Sequence, residues 1–233
     1  MSNVSKLENY LSISPNKFGI YLFDPNDKKN IYKEELFNDE NISFINSNTL
    51  KNFLDKNIFK IEKLSGKFIE NIFIVLEDKQ ILNTHLGIKR KNYNNSISQA
   101  HLENLLTEAK DLFRENYQNE KIMHMIVKKY LINDKSHLSF DDNLDGGSLG
   151  LEIQFKSISN SIINDLNKIL ENYHIKIIKC LDGSYVKTFF DKDFELPEMC
   201  NKVVSGYNKN EVIFVQKNLK KLGFFEKFFQ LFS

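Results

Sequence analysis

Three short segments rich in aromatic and β-branched residues open the chain, Tyr10 to Ile13, Lys17 to Phe23 and Asn30 to Phe37, and the residues between them constrain the fold most. Ser14-Pro15-Asn16 and Asp24-Pro25-Asn26-Asp27 combine the fixed φ of proline with short side chains that bond their own backbone. The three segments therefore turn back on one another as a β-meander. Polar residues fill 38–48. Leu50, Phe53, Leu54, Ile58, Ile61 and Leu64 then recur at three- and four-residue steps before Ser65-Gly66, which predicts an amphipathic helix ended by glycine.

The alternation of elements continues. Phe68 to Glu77 is dense in Ile, Phe and Val and reads as a strand, and Ile81 to Lys89 is expected to pair back on it as a hairpin. A second helix is expected over His101 to Tyr117, with Leu102, Leu105, Leu106, Ala109, Leu112 and Phe113 on one face. Ile122 to Ile132 and Leu149 to Ile158 are strand-like, so the order here is strand, helix, strand, strand. Ile162 to Tyr173 repeats the helical spacing, Ile175 to Leu181 is an apolar strand, and Ser184 to Phe190 is a short helical turn. Leu196 to Tyr207 reads as a helix and Glu211 to Val215 as a last strand. No repeat of solenoid length and no low-complexity linker occurs.

Composition sets limits on function. The chain has 32 Lys and Arg against 31 Asp and Glu, a formal net charge of +1, so no whole-molecule field draws it to nucleic acid, and no nucleic-acid partner is expected. Twenty Phe and nine Tyr within 41% hydrophobic residues argue for a packed core, and no apolar run is long enough to span a bilayer. Two cysteines, Cys180 and Cys200, and an amino terminus without a signal-peptide pattern point to a reducing cytoplasm with free thiols.

The common phosphate-cradling, zinc-protease and serine-hydrolase signatures are absent, and the five histidines are scattered over different elements. Asp141, Asn143, Asp145, Gly146 and Glu152 match the ligand spacing of a calcium loop. Such a loop sits between helices, whereas strands flank this one, so a solvated hairpin loop is the expected structure. No metal, cofactor or catalytic residue is expected.

The strongest physical signal lies in residues 217–233. Leu222, Phe225, Phe228, Phe229 and Phe232 fall on one side of a helix, joined by Leu219 and Phe224, while Glu226, Lys227 and Gln230 fall on the other. Lys217, Lys220 and Lys221 cluster just before. A helix of this length is too short to cross a bilayer but suits the interface, with its aromatic face down and its lysines at anionic headgroups. The alternative is that the segment docks on the protein's own core.

Taken in order, these elements resemble FtsA, a family of bacterial actin-like cell-division proteins that tether the FtsZ ring to the inner membrane. Leu11-Ser12-Ile13-Ser14-Pro15-Asn16-Lys17-Phe18 sits where actin-like proteins carry their first phosphate loop, which in the family looks like Ile-Asp-Ile-Gly-Ser-Ser-Lys-Ile. Ser12 stands at the aspartate position and Ser14 at the glycine position, so Ser12, Ser14, Asn16 and Lys17 form a degenerate version of it. The run Lys60 to Val75 and the elements up to Ile158 look like the family's inserted assembly subdomain, and 217–233 like its membrane-targeting helix.

The resemblance implies an α+β fold. It would consist of a partial actin-like, ribonuclease-H-like lobe at 1–66 and 159–216, a strand-helix-strand-strand subdomain inserted at 67–158, and a terminal amphipathic helix. It implies a non-catalytic adaptor on the cytoplasmic side of the inner membrane, with the lipid surface and cell-division proteins (FtsZ, later division proteins or further copies of itself) as partners. A soluble interaction module without a membrane role and an actin-like ATP-binding protein are the alternatives.

Overall fold

The turn at Ser14-Pro15-Asn16-Lys17 is where the fold begins. In a computed structural model of the 233-residue chain, residues 7–37, 46–91, 96–140, 144–191 and 193–213 are described. β1 (Glu8–Ser14) and β2 (Lys17–Asp24) form a hairpin closed by the Ser14↔Lys17 pair, with Ser14 Oγ donating to the carbonyl of Lys17 at 3.1 Å. β3 (Lys29–Phe37) adds antiparallel to β2. The expected meander is present.

α1 (Ser47–Ser65) follows. Asn46 caps its start by accepting from the Thr49 N–H at 3.1 Å. Gly66, at φ 70°, ends it with its own N–H on the Glu62 carbonyl at 2.9 Å. Leu50, Phe53, Leu54, Ile58 and Ile61 are buried as the spacing predicts, but Leu64 is 56% exposed, because the last turn runs past the edge of the packed face.

The chain folds as two compact units. The first is made of the described residues within 7–82 and 156–207 and is built on a five-stranded sheet in the order β3-β2-β1-β4-β11. β4 (Asn71–Leu76) and β11 (Lys176–Asp182) are parallel to each other, and β4 is parallel to β1. This order, with three antiparallel strands followed by two parallel ones, is the ribonuclease-H-like arrangement of an actin-like lobe, and the chain is α+β. β4 takes partners on both sides, β1 and β11, so the segment after it cannot pair back as the expected hairpin. That segment, β5 (Leu82–Lys91), joins another sheet.

Helices cover both faces of the large sheet. Phe18 packs on Phe53 of α1, with ring centroids 6.3 Å apart, and Tyr32 donates to Asn57 of α1 at 2.6 Å. Lys33, the next residue along β3, points the other way and pairs with Glu195 at 2.9 Å. Glu195 precedes α5 (Leu196–Val204), so α5 lies on the face opposite α1. α3 (Asn160–Glu171) packs beside β11, and Tyr173 just after it donates to Asp55 of α1 at 2.7 Å. α4 (Gly183–Lys187) continues directly from β11.

The second unit is made of the described residues within 83–155 together with 208–213. Its four-stranded sheet has the order β5-β10-β7-β8, with β7 at Glu120–Ile132, β8 at Lys135–His137 and β10 at Ser148–Ser159. α2 (Gln99–Asn116) buries Leu102, Leu105, Ala109 and Phe113 against it, the Phe113 ring stacking on Phe155 at 4.6 Å. A two-stranded ladder joins β6 (Ser96–Ile97) to β9 (Leu144–Asp145).

The expected last strand is reduced among the described residues to a single bridge, Glu211 to Ile126 of β7. It is fastened by His124 Nδ1 and Glu211 Oε1 at 2.8 Å, both side chains buried. No helix among the described residues is long and apolar enough to cross a membrane.

Candidate functional site at the strand ends

Parallel strands bring their carboxyl ends to one edge, and in open sheets that edge is where ligands bind. Here β1 ends at Ser14, β4 at Leu76 and β11 at Asp182. The cleft of ≈ 510 Å³ at this edge is lined by Ser14, Asn16 and Lys17 from the first turn, Glu77 and Asp78 after β4, and Lys187 of α4.

Each carboxylate at the edge is already engaged. Glu77 accepts from Lys187 Nζ with both oxygens, at 2.7 and 2.8 Å, and its N–H donates to the Ile13 carbonyl at 3.0 Å. Gly183 lies against the same side chain: a Cβ there would stand 2.6 Å from Glu77 Cγ. Asp182, with a side chain 3% exposed, accepts from the N–H groups of Ser184 and Tyr185 at 2.9 and 3.3 Å and from Lys156 Nζ at 2.7 Å. Asp78 accepts from the Gln80 N–H at 2.7 Å.

The first turn is closed in the same way. Ser12 is buried in β1, its Oγ 3.5 Å from the Gly19 carbonyl. Lys17 Nζ does not stand free over the turn but donates to Glu35 of β3 at 3.2 Å and lies 5.5 Å from the Phe37 ring centre. The Tyr21 hydroxyl donates to the same Glu35 oxygen at 2.6 Å.

Burial alone would raise the Glu35 carboxyl. The hydrogen bonds from Tyr21 and Lys17 and the charges of Lys17 and Lys33 outweigh it and hold the group below its ordinary range. Burial and then the bond to Glu35 push the Tyr21 hydroxyl well above the usual tyrosine value. Gly19 leaves no spare room, since a Cβ would meet Tyr21 Oη at 2.5 Å and Ser12 Oγ at 2.6 Å.

Of the residues singled out in the sequence, Ser12, Ser14, Asn16 and Lys17 share this one hairpin. Lys217, Leu219, Lys220, Lys221, Leu222, Phe224, Phe225, Phe228, Phe229 and Phe232 lie outside the described residues. Glu35, Glu77, Lys156, Asp182 and Lys187 were not anticipated. The available signal was a carboxylate placed directly after an apolar strand, in Leu76-Glu77 and Leu181-Asp182.

The calcium-spaced loop does not come together as one site among the described residues. Glu152 pairs with Lys129 at 2.8 Å and Asp145 belongs to β9, while Asp141 and Asn143 lie outside the described residues. No group of three or more metal-ligating side chains occurs among the described residues. Both cysteines are free and buried, and burial pushes the Cys200 thiol far up.

No protein-family model and no curated protein matches the chain. Among solved structures it is similar to the PilM-PilN type IV pilus biogenesis complex at 6% identity and a TM-score of 0.49, over 78% of this chain and 49% of that one. It is similar to the cytoplasmic domain of EpsL, an inner membrane component of the type II secretion system of Vibrio cholerae, at 9% identity and 0.35, over 77% and 57%. A Bacteroides thetaiotaomicron protein with actin-like ATPase fold and unknown function is similar at 16% identity and 0.33, over 78% and 55%. The chain spans about half the length of these structures.

Proposed function

We propose that this protein is an actin-like scaffold that works without binding or hydrolysing nucleotide, and that residues 217–233 attach it to a membrane surface. The observation that carries the first half is internal neutralisation at the strand ends. Glu77 is held by Lys187, Asp182 by Lys156 and the start of α4, and Lys17 by Glu35. A Mg-nucleotide would need a free carboxylate for the metal and several free cations for the phosphates, whereas Glu77, Asp182, Lys17 and Lys187 would each first have to give up a partner, which leaves Lys79 as the one lining cation without one among the described residues. Ser12 supplies no charge in β1.

The resemblance of the first turn, the inserted elements and the terminal segment to FtsA supports the finer reading, an adaptor at the division septum on the cytoplasmic face of the inner membrane. Its partners would be division proteins or further copies of the chain.

Titration calorimetry of the full chain with Mg-ATP tests the nucleotide half. The expected result is no saturable heat up to millimolar ligand. A dissociation constant in the micromolar range would overturn the proposal.

A further inference from the structure

α1 turns one face to the sheet and leaves the other in solvent, and the composition of the outer face is not that of an ordinary solvated helix. Phe59 lies about 180° around the helix from the buried stripe and is 71% exposed, and Phe68, two residues past the Gly66 cap, is 81% exposed. Around them stand Lys51, Lys56, Lys60, Lys63 and Lys67, all exposed.

None of these five lysines pairs with an acid among the described residues, whereas lysines elsewhere in the same unit do, at Lys17, Lys33, Lys156, Lys187 and Lys202. The two acids of α1 are both engaged: Asp55 accepts from the Tyr173 hydroxyl at 2.7 Å, and Glu62 from the Ile69 N–H at 3.2 Å.

We propose that the outer face of α1 and the residues just past it, with Phe59 and Phe68 among Lys51, Lys56, Lys60, Lys63 and Lys67, form a second lipid-binding surface that lies flat on an anionic membrane. Charge complementarity selects the occupant, since Lys51, Lys56, Lys60 and Lys63 spread over the outer half of α1 on both sides of Phe59 along about 18 Å of the helix, and none pairs with an acid among the described residues. Aromatic rings that reach past the charges are what an interfacial helix inserts below the headgroups. The surface is on the face of the sheet opposite α5 and shares no residue with the strand-end cleft. It stands independently of the terminal segment, and two attachment points in one chain would add by effective concentration.

The chain contains no tryptophan, so Phe59→Trp in the full-length protein makes a single fluorescent reporter for α1, and Phe229→Trp makes the matching reporter for the terminal segment. Each is titrated with phosphatidylglycerol/phosphatidylcholine vesicles carrying brominated acyl chains. The expected result is a blue shift and bromine quenching of the α1 reporter at low salt. Adding Lys56→Gln, Lys60→Gln and Lys63→Gln should weaken vesicle affinity at this face by about five-fold per lysine.

Quenching of the terminal reporter with the α1 reporter unchanged would overturn this inference and leave the terminal anchor standing. Quenching of the α1 reporter alone would support it and remove the anchor. No change in either would remove both. A shift of the α1 reporter with polyglutamate but none with vesicles would assign the face to an acidic protein and overturn the lipid assignment.

Discussion

Lys156 and Lys187 hold the two carboxylates at the strand ends, yet they do so in different surroundings. Lys156 and Asp182 have side chains 14% and 3% exposed, so removing the lysine leaves a charge in the interior. Lys156→Ala should cost about 3 kcal/mol, read as a lower urea midpoint. Lys187 and Glu77 are 48% and 29% exposed and partly hydrated, so Lys187→Ala should cost under about 1 kcal/mol. Glu35 adds a pH dependence. Its folded pKa is depressed, so its contribution is fully present above the ordinary glutamate range of about 4.3 and is lost as pH falls through the lower folded value. The wild type should therefore lose stability in this acid window, and Glu35→Gln should flatten that part of the profile in urea melts taken from pH 6 to pH 3.

Among the elements, α1 shows how far local chemistry reaches. Its buried stripe and its glycine stop were legible because a 3.6-residue period and a cap act within a few positions, whereas the Asn46 cap and the start at Ser47 fall in a run that reads only as polar. Gly66 provides the check: at φ 70° with nothing within 4 Å of a Cβ, Gly66→Ala introduces backbone strain without a clash. It should lower stability by about 1 kcal/mol in the same urea assay. The meander was legible for the same reason, since Pro15 and Pro25 fix the turns. The partner of β5 was not, because Glu77-Asp78-Lys79 looks like a hairpin turn and only the parallel pairing of β4 with β1 and β11 rules that out. The site divides the same way. Ser12, Ser14, Asn16 and Lys17 are neighbours in sequence, while Glu77 and Asp182 join them only through those parallel pairs, across long stretches of intervening chain. The long-range pair His124 and Glu211 was invisible for this reason too.

Across the whole molecule, the net charge of +1 conceals local asymmetry. It speaks against a whole-molecule field for nucleic acid but says nothing of the four exposed lysines on the outer half of α1, or of the three lysines ahead of the terminal phenylalanines in the sequence. Under the proposed function, the chain reaches a lipid surface without a nucleotide to switch it. Co-sedimentation of the full chain with anionic vesicles, with and without Mg-ATP, tests that claim in one measurement. The account predicts that the chain pellets with the vesicles to the same extent in both conditions, and that high salt releases it as screening weakens the lysines. Failure to pellet in either condition, or pelleting that appears only with Mg-ATP, would contradict it.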